Sequence, residues 1–391
     1  MKKKVLFIIG TLQSGGVSKS IVNLLNAFDR TRYDVHLLVF TMQGDVFSRY
    51  LPDGVTLHVN KDIAALHENL SGVKKLLGRG RILLAIGSLV RMILSKVNKS
   101  WAGRWMAYLM PAFTQETFDL IVDYGGQQAL YYMVNKLNGR KKVSFFHNDY
   151  SKWPYYYSAD KIYYAYADRI YTISDTCVQA LKDYFPQYAE KIMMMENISS
   201  PELIHRQAEE PLPIALPKGR MVIATLGHLC RRKGWDFAIE AARIMKDSGV
   251  SFVWLQIGKV IENDLVEKIK EYGLDDCFVF TGIQSNPYPF LNACDIYVHP
   301  SRFEGKSIAL DEAKILCKPI VVTRFSTVND QFEDDVNAVI CDMNGESLAH
   351  AIMDLCHDTT RQKRYCSWLA EHIKDNSDEV NKLYEVLEND K

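Results

Sequence analysis

The run Val5-Leu6-Phe7-Ile8-Ile9-Gly10-Thr11-Leu12-Gln13-Ser14-Gly15-Gly16-Val17 decides the fold. Its apolar opening is continuous rather than alternating, as in a strand buried on both faces, while Gly15-Gly16 supplies a tight turn and residues 17–28 place apolar side chains at helical spacing. Strand, turn and helix in that order begin a parallel α/β sheet.

Working outward, the pattern returns at 35–40, 120–123, 143–146, 170–173 and 192–195, with helical stretches between most of the runs. Residues 199–219 break the rhythm with Pro201, Pro211, Pro213 and Pro217, and read as a linker. A second series follows at 221–226, 252–257, 278–281, 296–299, 320–323 and 338–341. The expected architecture is α/β, with two Rossmann-like domains facing each other across a cleft and ligands at the carboxyl ends of the strands. The domains are placed at 1–198 and 199–371, with a helix at about 372–391 packing back on the first.

Composition agrees with this size of fold. The chain has 391 residues and 48% hydrophobic content, enough to bury a core in each of two domains. The formal charge is zero but uneven: residues 1–197 hold 25 Lys+Arg against 16 Asp+Glu, and the remainder 22 against 31. The front half is therefore suited to an anionic partner, and no nucleic acid is expected. Eight cysteines without a CxxC pair read as reduced core thiols of a cytoplasmic protein. Lys2-Lys3-Lys4 ahead of the first apolar run imitates a signal peptide, but the run is too short and lacks a cleavage pattern.

Three segments carry candidate chemistry. Gly10 to Gly16 joins the first strand to the first helix, where backbone N–H groups favour an anion. Gly227-His228-Leu229-Cys230-Arg231-Arg232-Lys233-Gly234 follows the first strand of the second series and brings three cations to a helix start. Glu304 and Glu312, eight residues apart after the strand at 296–299, can cradle a sugar nucleotide. Gly305-Lys306-Ser307 resembles the end of a phosphate-binding loop, but Pro300 stands where its earlier glycine is required.

Together these motifs resemble the family 4 glycosyltransferases, retaining enzymes of the GT-B fold. The resemblance rests on Gly15-Gly16, on His147 in Phe145-Phe146-His147-Asn148-Asp149, on Asn197, on the turn from Gly227 to Gly234, and on the E-x7-E element of Glu304 and Glu312. It implies roles for each. Glu304 contacts the donor sugar, Glu312 the ribose, and Lys233 the leaving phosphate. Backbone N–H groups around Lys306, Ser307 and Ile308 hold the diphosphate with help from Gly16. His147 lies beside the sugar, and the backbone at Ile283 meets the base. Ser18 and Lys19 fall on the acceptor side. His228 departs from the family's usual arginine, so Arg231, Arg232 or Lys306 is expected to supply the missing cation.

The implied reaction moves a sugar from a nucleoside-diphosphate sugar, UDP foremost, to a saccharide or polyprenyl-diphosphate-linked acceptor in bacterial surface polysaccharide assembly. With no Asp-x-Asp and no His/Cys cluster, neither metal nor cofactor is expected. A soluble acceptor, or a silent partner subunit of the same fold, are the alternatives. Between Gly72 and Gln115 there is no acid but eight bases, interleaved with leucines, isoleucines and two tryptophans. Residues 73–110 therefore read as a segment that lies on an anionic membrane surface, at the inner face of the cell membrane.

Overall fold

The first strand alternates as a doubly covered strand must: Val5, Phe7 and Ile9 enter one core while Leu6 and Ile8 enter another. The computed structural model describes residues 2–373 and 375–389. It comprises two units, one running to Ile198 and resuming at Ser377, the other spanning Ser199–Asn376. The returning segment thus begins a few residues after the expected 372.

In the first unit the chain forms β1 (Lys3–Thr11), α1 (Gly16–Ala27), β2 (Tyr33–Thr41), β3 (Val55–Val59), α2 (Lys61–His67), α3 (Leu70–Gly78), α4 (Ile82–Val97) and α5 (Lys99–Leu109). It continues with β4 (Thr117–Asp123), α6 (Gln128–Lys136), β5 (Asn138–Phe146), α7 (Tyr157–Tyr163), β6 (Arg169–Thr172), α8 (Asp175–Tyr184) and β7 (Ile192–Met194). The sheet is parallel in the order β3-β2-β1-β4-β5-β6-β7. Strand order reverses between β1 and β4, the position where such sheets open a crevice for ligands. The sequence reading missed β3, because an edge strand with mostly solvent-facing side chains shows no apolar run.

The second unit holds α9 (Pro201–Ala208), β8 (Met221–Leu226), α10 (Trp235–Asp247), β9 (Phe252–Ile257), α11 (Asn263–Glu271), β10 (Phe278–Gly282) and α12 (Tyr288–Asn292). There follow β11 (Ile296–His299), α13 (Ile308–Ile315), β12 (Ile320–Thr323), β13 (Val339–Cys341), α14 (Gly345–His357) and α15 (Thr359–His372). The parallel order β10-β9-β8-β11-β12-β13 reverses between β8 and β11.

Two expectations need correction. The stretch read as a linker contains α9: Ser200 caps it through Leu203 N–H, and Pro201 sits at the first helical position, where its missing N–H costs nothing. The helix expected at about 372–391 is shorter: α15 ends at His372, and α16 covers Asn381–Glu388. Leu383, Val386 and Leu387 of α16 join the core around α1 and β1, and Tyr384 stacks on Tyr33 at 5.2 Å.

Candidate active site

In the second unit the loops after β8 and β11 leave the sheet on either side of its strand-order reversal. The first ends at Gly234, whose φ of 69° is left-handed; a Cβ there would lie 1.7 Å from the Pro300 carbonyl oxygen. Only glycine lets the two loops meet. Arg302 strengthens the junction, donating from its backbone to Arg232 O at 3.2 Å and making two 2.6 Å bonds to Asp236.

Three donors converge on one oxygen of Glu304. Lys233 Nζ lies 2.5 Å from Oε1, Ser301 Oγ 2.7 Å and His299 Nε2 3.0 Å, while Thr327 Oγ1 donates to the Glu304 carbonyl at 3.0 Å. No hydrogen bond reaches Oε2 among the described residues, so that oxygen remains for a ligand. Burial by itself opposes ionisation of Glu304, but Lys233 and His299 outweigh it and hold the carboxyl well below the usual carboxylate range. Burial likewise pushes the His299 pKa down, against the pull of Glu304. Tyr297, whose hydroxyl burial keeps protonated, lies 3.2 Å from His299 Nδ1. The phenol therefore donates to Nδ1, and neutral His299 carries its proton on Nε2, facing Glu304.

The other residues of this unit separate into groups. Glu312, buried on α13, accepts from Tyr288 OH at 3.0 Å. Ser307 N–H is occupied by Gln331 Oε1 at 3.0 Å, which removes it from the N–H groups expected to hold a diphosphate. Ile308, the first residue of α13, has no intrahelical acceptor for its N–H. Lys306 lies close enough to Asp311 to lower its pKa, though less than burial and Lys314 act on it. His228 Nδ1 accepts from Lys259 N–H at 3.2 Å, which leaves the imidazole proton on Nε2. Arg231 pairs with Glu262 at 2.6 Å and with Asp264, so its charge is engaged away from the loop junction. Arg232 is exposed, with its guanidinium 5.9 Å from the Phe303 ring, and Ile283 is exposed beyond β10.

In the first unit the loops after β1, β4 and β5 lie around the corresponding reversal. Gly15 precedes α1 and Gly16 opens it. Ser18 is buried and donates to Thr11 O at 3.1 Å, which assigns it to holding the turn rather than to an exposed acceptor surface. Lys19 follows on α1, half-buried. His147 places Nε2 3.1 Å from Tyr124 O and its ring 4.5 Å from that of Tyr124. Burial pushes its pKa down to about 4. Ser20 links this group to Asn197, at 2.5 Å from Tyr124 OH and 2.6 Å from Asn197 Oδ1. Of the tyrosines between β5 and β6, Tyr150 and Tyr164 are core, whereas Tyr155 and Tyr166 face solvent.

Sequence reasoning missed His299, Ser301, Gln331 and Thr327. His299 and Ser301 flank Pro300, between the strand at 296–299 and Glu304, and a histidine ending an otherwise apolar strand was the available signal. Gln331 and Thr327 arrive from beyond β12 and leave no local trace.

Residues 14–198 match the family Glycosyltransferase Family 4, and residues 207–367 match Glycosyl transferases group 1. A Campylobacter jejuni N-acetylgalactosamine-N,N'-diacetylbacillosaminyl-diphospho-undecaprenol 4-alpha-N-acetylgalactosaminyltransferase is 25% identical over 205 residues, 52% of this chain and 54% of that protein. The lipopolysaccharide core biosynthesis glycosyltransferase LpsD of Rhizobium meliloti is 27% identical over 208 residues, 51% of this chain and 60% of that one. The chain thus spans about half the length of the curated relatives it matches. Anabaena Alr3699/HepE, solved in complex with UDP and glucose, superposes with a TM-score of 0.69 at 16% identity, covering 99% of this chain and 100% of that one. This likeness shows the fold, GT-B.

Proposed function

Because the chain belongs to the family 4 glycosyltransferases, we propose that it transfers a sugar from a nucleoside-diphosphate sugar, UDP-linked, to a lipid-linked saccharide acceptor with retention of anomeric configuration. The observation that carries the donor half is the convergence of Lys233, Ser301 and His299 on Oε1 of Glu304. An ionised carboxylate with one saturated and one open oxygen can accept sugar hydroxyls and stabilise positive charge at the anomeric carbon. The bond from that carbon to the β-phosphate oxygen breaks as the acceptor oxygen attacks on the same face. The leaving phosphate takes the acceptor proton, and Lys233 offsets the charge that develops there. Glu312 binds the ribose. Lys306, Arg232, His228 and the α13 backbone at Ile308 hold the diphosphate, without a metal ion. His147, Gly15 and Gly16 enter through the family resemblance.

The lipid-linked acceptor is supported by the activity for which the Campylobacter relative is named, and by the basic, apolar surface of the first unit, which we assign to contact with the inner face of the cell membrane. Among the described residues no helix is long and apolar enough to cross a membrane.

The test is donor hydrolysis without acceptor, screened across UDP-, GDP- and ADP-sugars. Release of free sugar from a UDP-sugar by the wild type, lost in Glu304→Gln, is the expected result. Turnover unchanged in Glu304→Gln would overturn the assignment.

A further inference from the structure

Helix α4 is built inside out. Its buried residues are the small ones, Ala85, Gly87 and Ser88, while Leu83, Ile93 and Val97 are 83%, 66% and 70% exposed, and Ile82, Ile86, Leu89 and Val90 are exposed as well. Close packing causes this: a Cβ on Gly87 would lie 2.5 Å from the Leu109 side chain, and Trp105 Nε1 donates to Gly87 O at 2.9 Å. The result is a continuous apolar stripe flanked by Leu77 and Trp101, larger in kind than the scattered apolar residues of an ordinary surface. With 16 residues, α4 is about 24 Å long, too short to span a bilayer and suited to lying on one.

The bases around the stripe are not equivalent. Lys75 pairs with Glu68, Arg79 and Arg81 pair with Asp62, Arg91 turns inward to Glu68 O and Asn69, and Lys99 sits over the Tyr155 ring. The absence of acids in the local sequence is thus partly offset by acids just before it. Arg104 has no ion pair or hydrogen bond among the described residues, and Lys136, from α6, meets only the Tyr108 ring, 5.2 Å away. Both line one groove of about 710 Å³, walled by Trp101, Trp105, Tyr108 and Tyr163 and joined to α4 through Leu94, which also lines it. No acid lines it.

We propose that this groove binds the phosphate headgroup of an anionic phospholipid, with Arg104 and Lys136 on the phosphate, the aromatic rings around the glycerol, and the acyl chains continuing along the α4 stripe. Two unpaired cations facing an acid-free, aromatic-walled groove complement a single anionic group, and the adjoining stripe complements hydrocarbon. The site rests on the membrane contact proposed for this unit and goes beyond it, because it requires saturable, headgroup-selective binding rather than diffuse attraction.

The test uses the full chain in two assays. The first is calorimetry with dihexanoyl-phosphatidylglycerol below its micelle concentration, with dihexanoyl-phosphatidylcholine and inorganic phosphate as controls. The second is co-sedimentation with vesicles of phosphatidylcholine, with and without phosphatidylglycerol. The wild type is expected to bind the short-chain phosphatidylglycerol saturably and to prefer the anionic vesicles. Arg104→Gln with Lys136→Gln should weaken the short-chain lipid by roughly tenfold to thirtyfold and abolish the vesicle preference. Leu83→Ser with Ile93→Ser should reduce vesicle binding but keep the short-chain lipid. Overlapping melting curves check that each variant is folded. Wild-type affinity in the Arg104/Lys136 variant, or equal affinity for phosphatidylcholine or for inorganic phosphate, overturns the headgroup site alone. Wild-type protein that binds neither kind of vesicle overturns the membrane contact with it.

Discussion

His299 donates from Nε2 to Glu304 Oε1 across 3.0 Å, with Tyr297 on its other nitrogen fixing which atom carries the proton. The imidazole thus orients the carboxylate rather than merely filling space. His299→Ala is expected to lower kcat for donor turnover by about tenfold to a hundredfold, the size of a hydrogen bond to a charged group, with a smaller change in KM. His299→Asn, which keeps a donor, should recover part of the loss. Steady-state kinetics of donor hydrolysis with both variants measures the split.

Lys233 and Glu304 form a nearly buried ion pair, so removing one partner strands the other. Lys233→Ala should destabilise the protein by about 3 kcal/mol or more. Adding Glu304→Gln to it should return much of that stability but none of the activity. Denaturant unfolding of the two single variants and the double variant provides the cycle.

Gly234→Ala places a methyl group against the Pro300 carbonyl at a left-handed φ. Both effects act in the same direction, and a loss exceeding about 1 kcal/mol is expected together with a fall in donor binding, since the two loops can no longer meet. Melting temperature and UDP titration report each part.

The cation opposite the donor diphosphate is tested at three positions. Arg231→Ala should leave donor KM within about twofold, because its guanidinium is engaged by Glu262 and Asp264. Lys306→Ala should raise KM by about tenfold, and His228→Arg should lower it, a guanidinium bringing a permanent charge where the imidazole offers one N–H.

Burial raises the pKa of Asp123 and of Asp160 to about 7 each, against hydrogen bonds that favour the ionised form. A carboxyl that titrates higher when folded binds more protons in the folded state, so stability from these groups falls as pH rises from the unfolded range to about 8. His147, pushed down to about 4, acts the other way, but only below about pH 6.5. Between pH 6.5 and 8 the melting temperature should therefore drop. Asp160→Asn, which keeps an acceptor for Tyr131 and a polar partner for Tyr150, should flatten that drop.

Much of the fold was legible because buried parallel strands announce themselves. All twelve apolar runs picked out in the chain lie on or overlap strands, whereas β3, half-solvated at a sheet edge, was invisible. Helix α9 was hidden by prolines, which stop a helix from within but start one from its first turn. Among the candidate residues, Lys233 and Glu304 in the second unit and His147 in the first stand out in the sequence because each sits on a short loop after a strand, and Glu312 because it follows Glu304 at a fixed spacing on α13.

What the sequence by itself determined is the succession of buried strands, the family, and the candidate residues for the chemistry. These follow from local periodicity and from residue types at fixed spacing. Tertiary structure alone decided which of those residues share an oxygen or a proton, which bases are already neutralised, and which face of α4 is left bare. Such facts depend on side chains brought together from distant strands: Lys233 and Glu304 lie 71 positions apart, and no local pattern encodes that they meet.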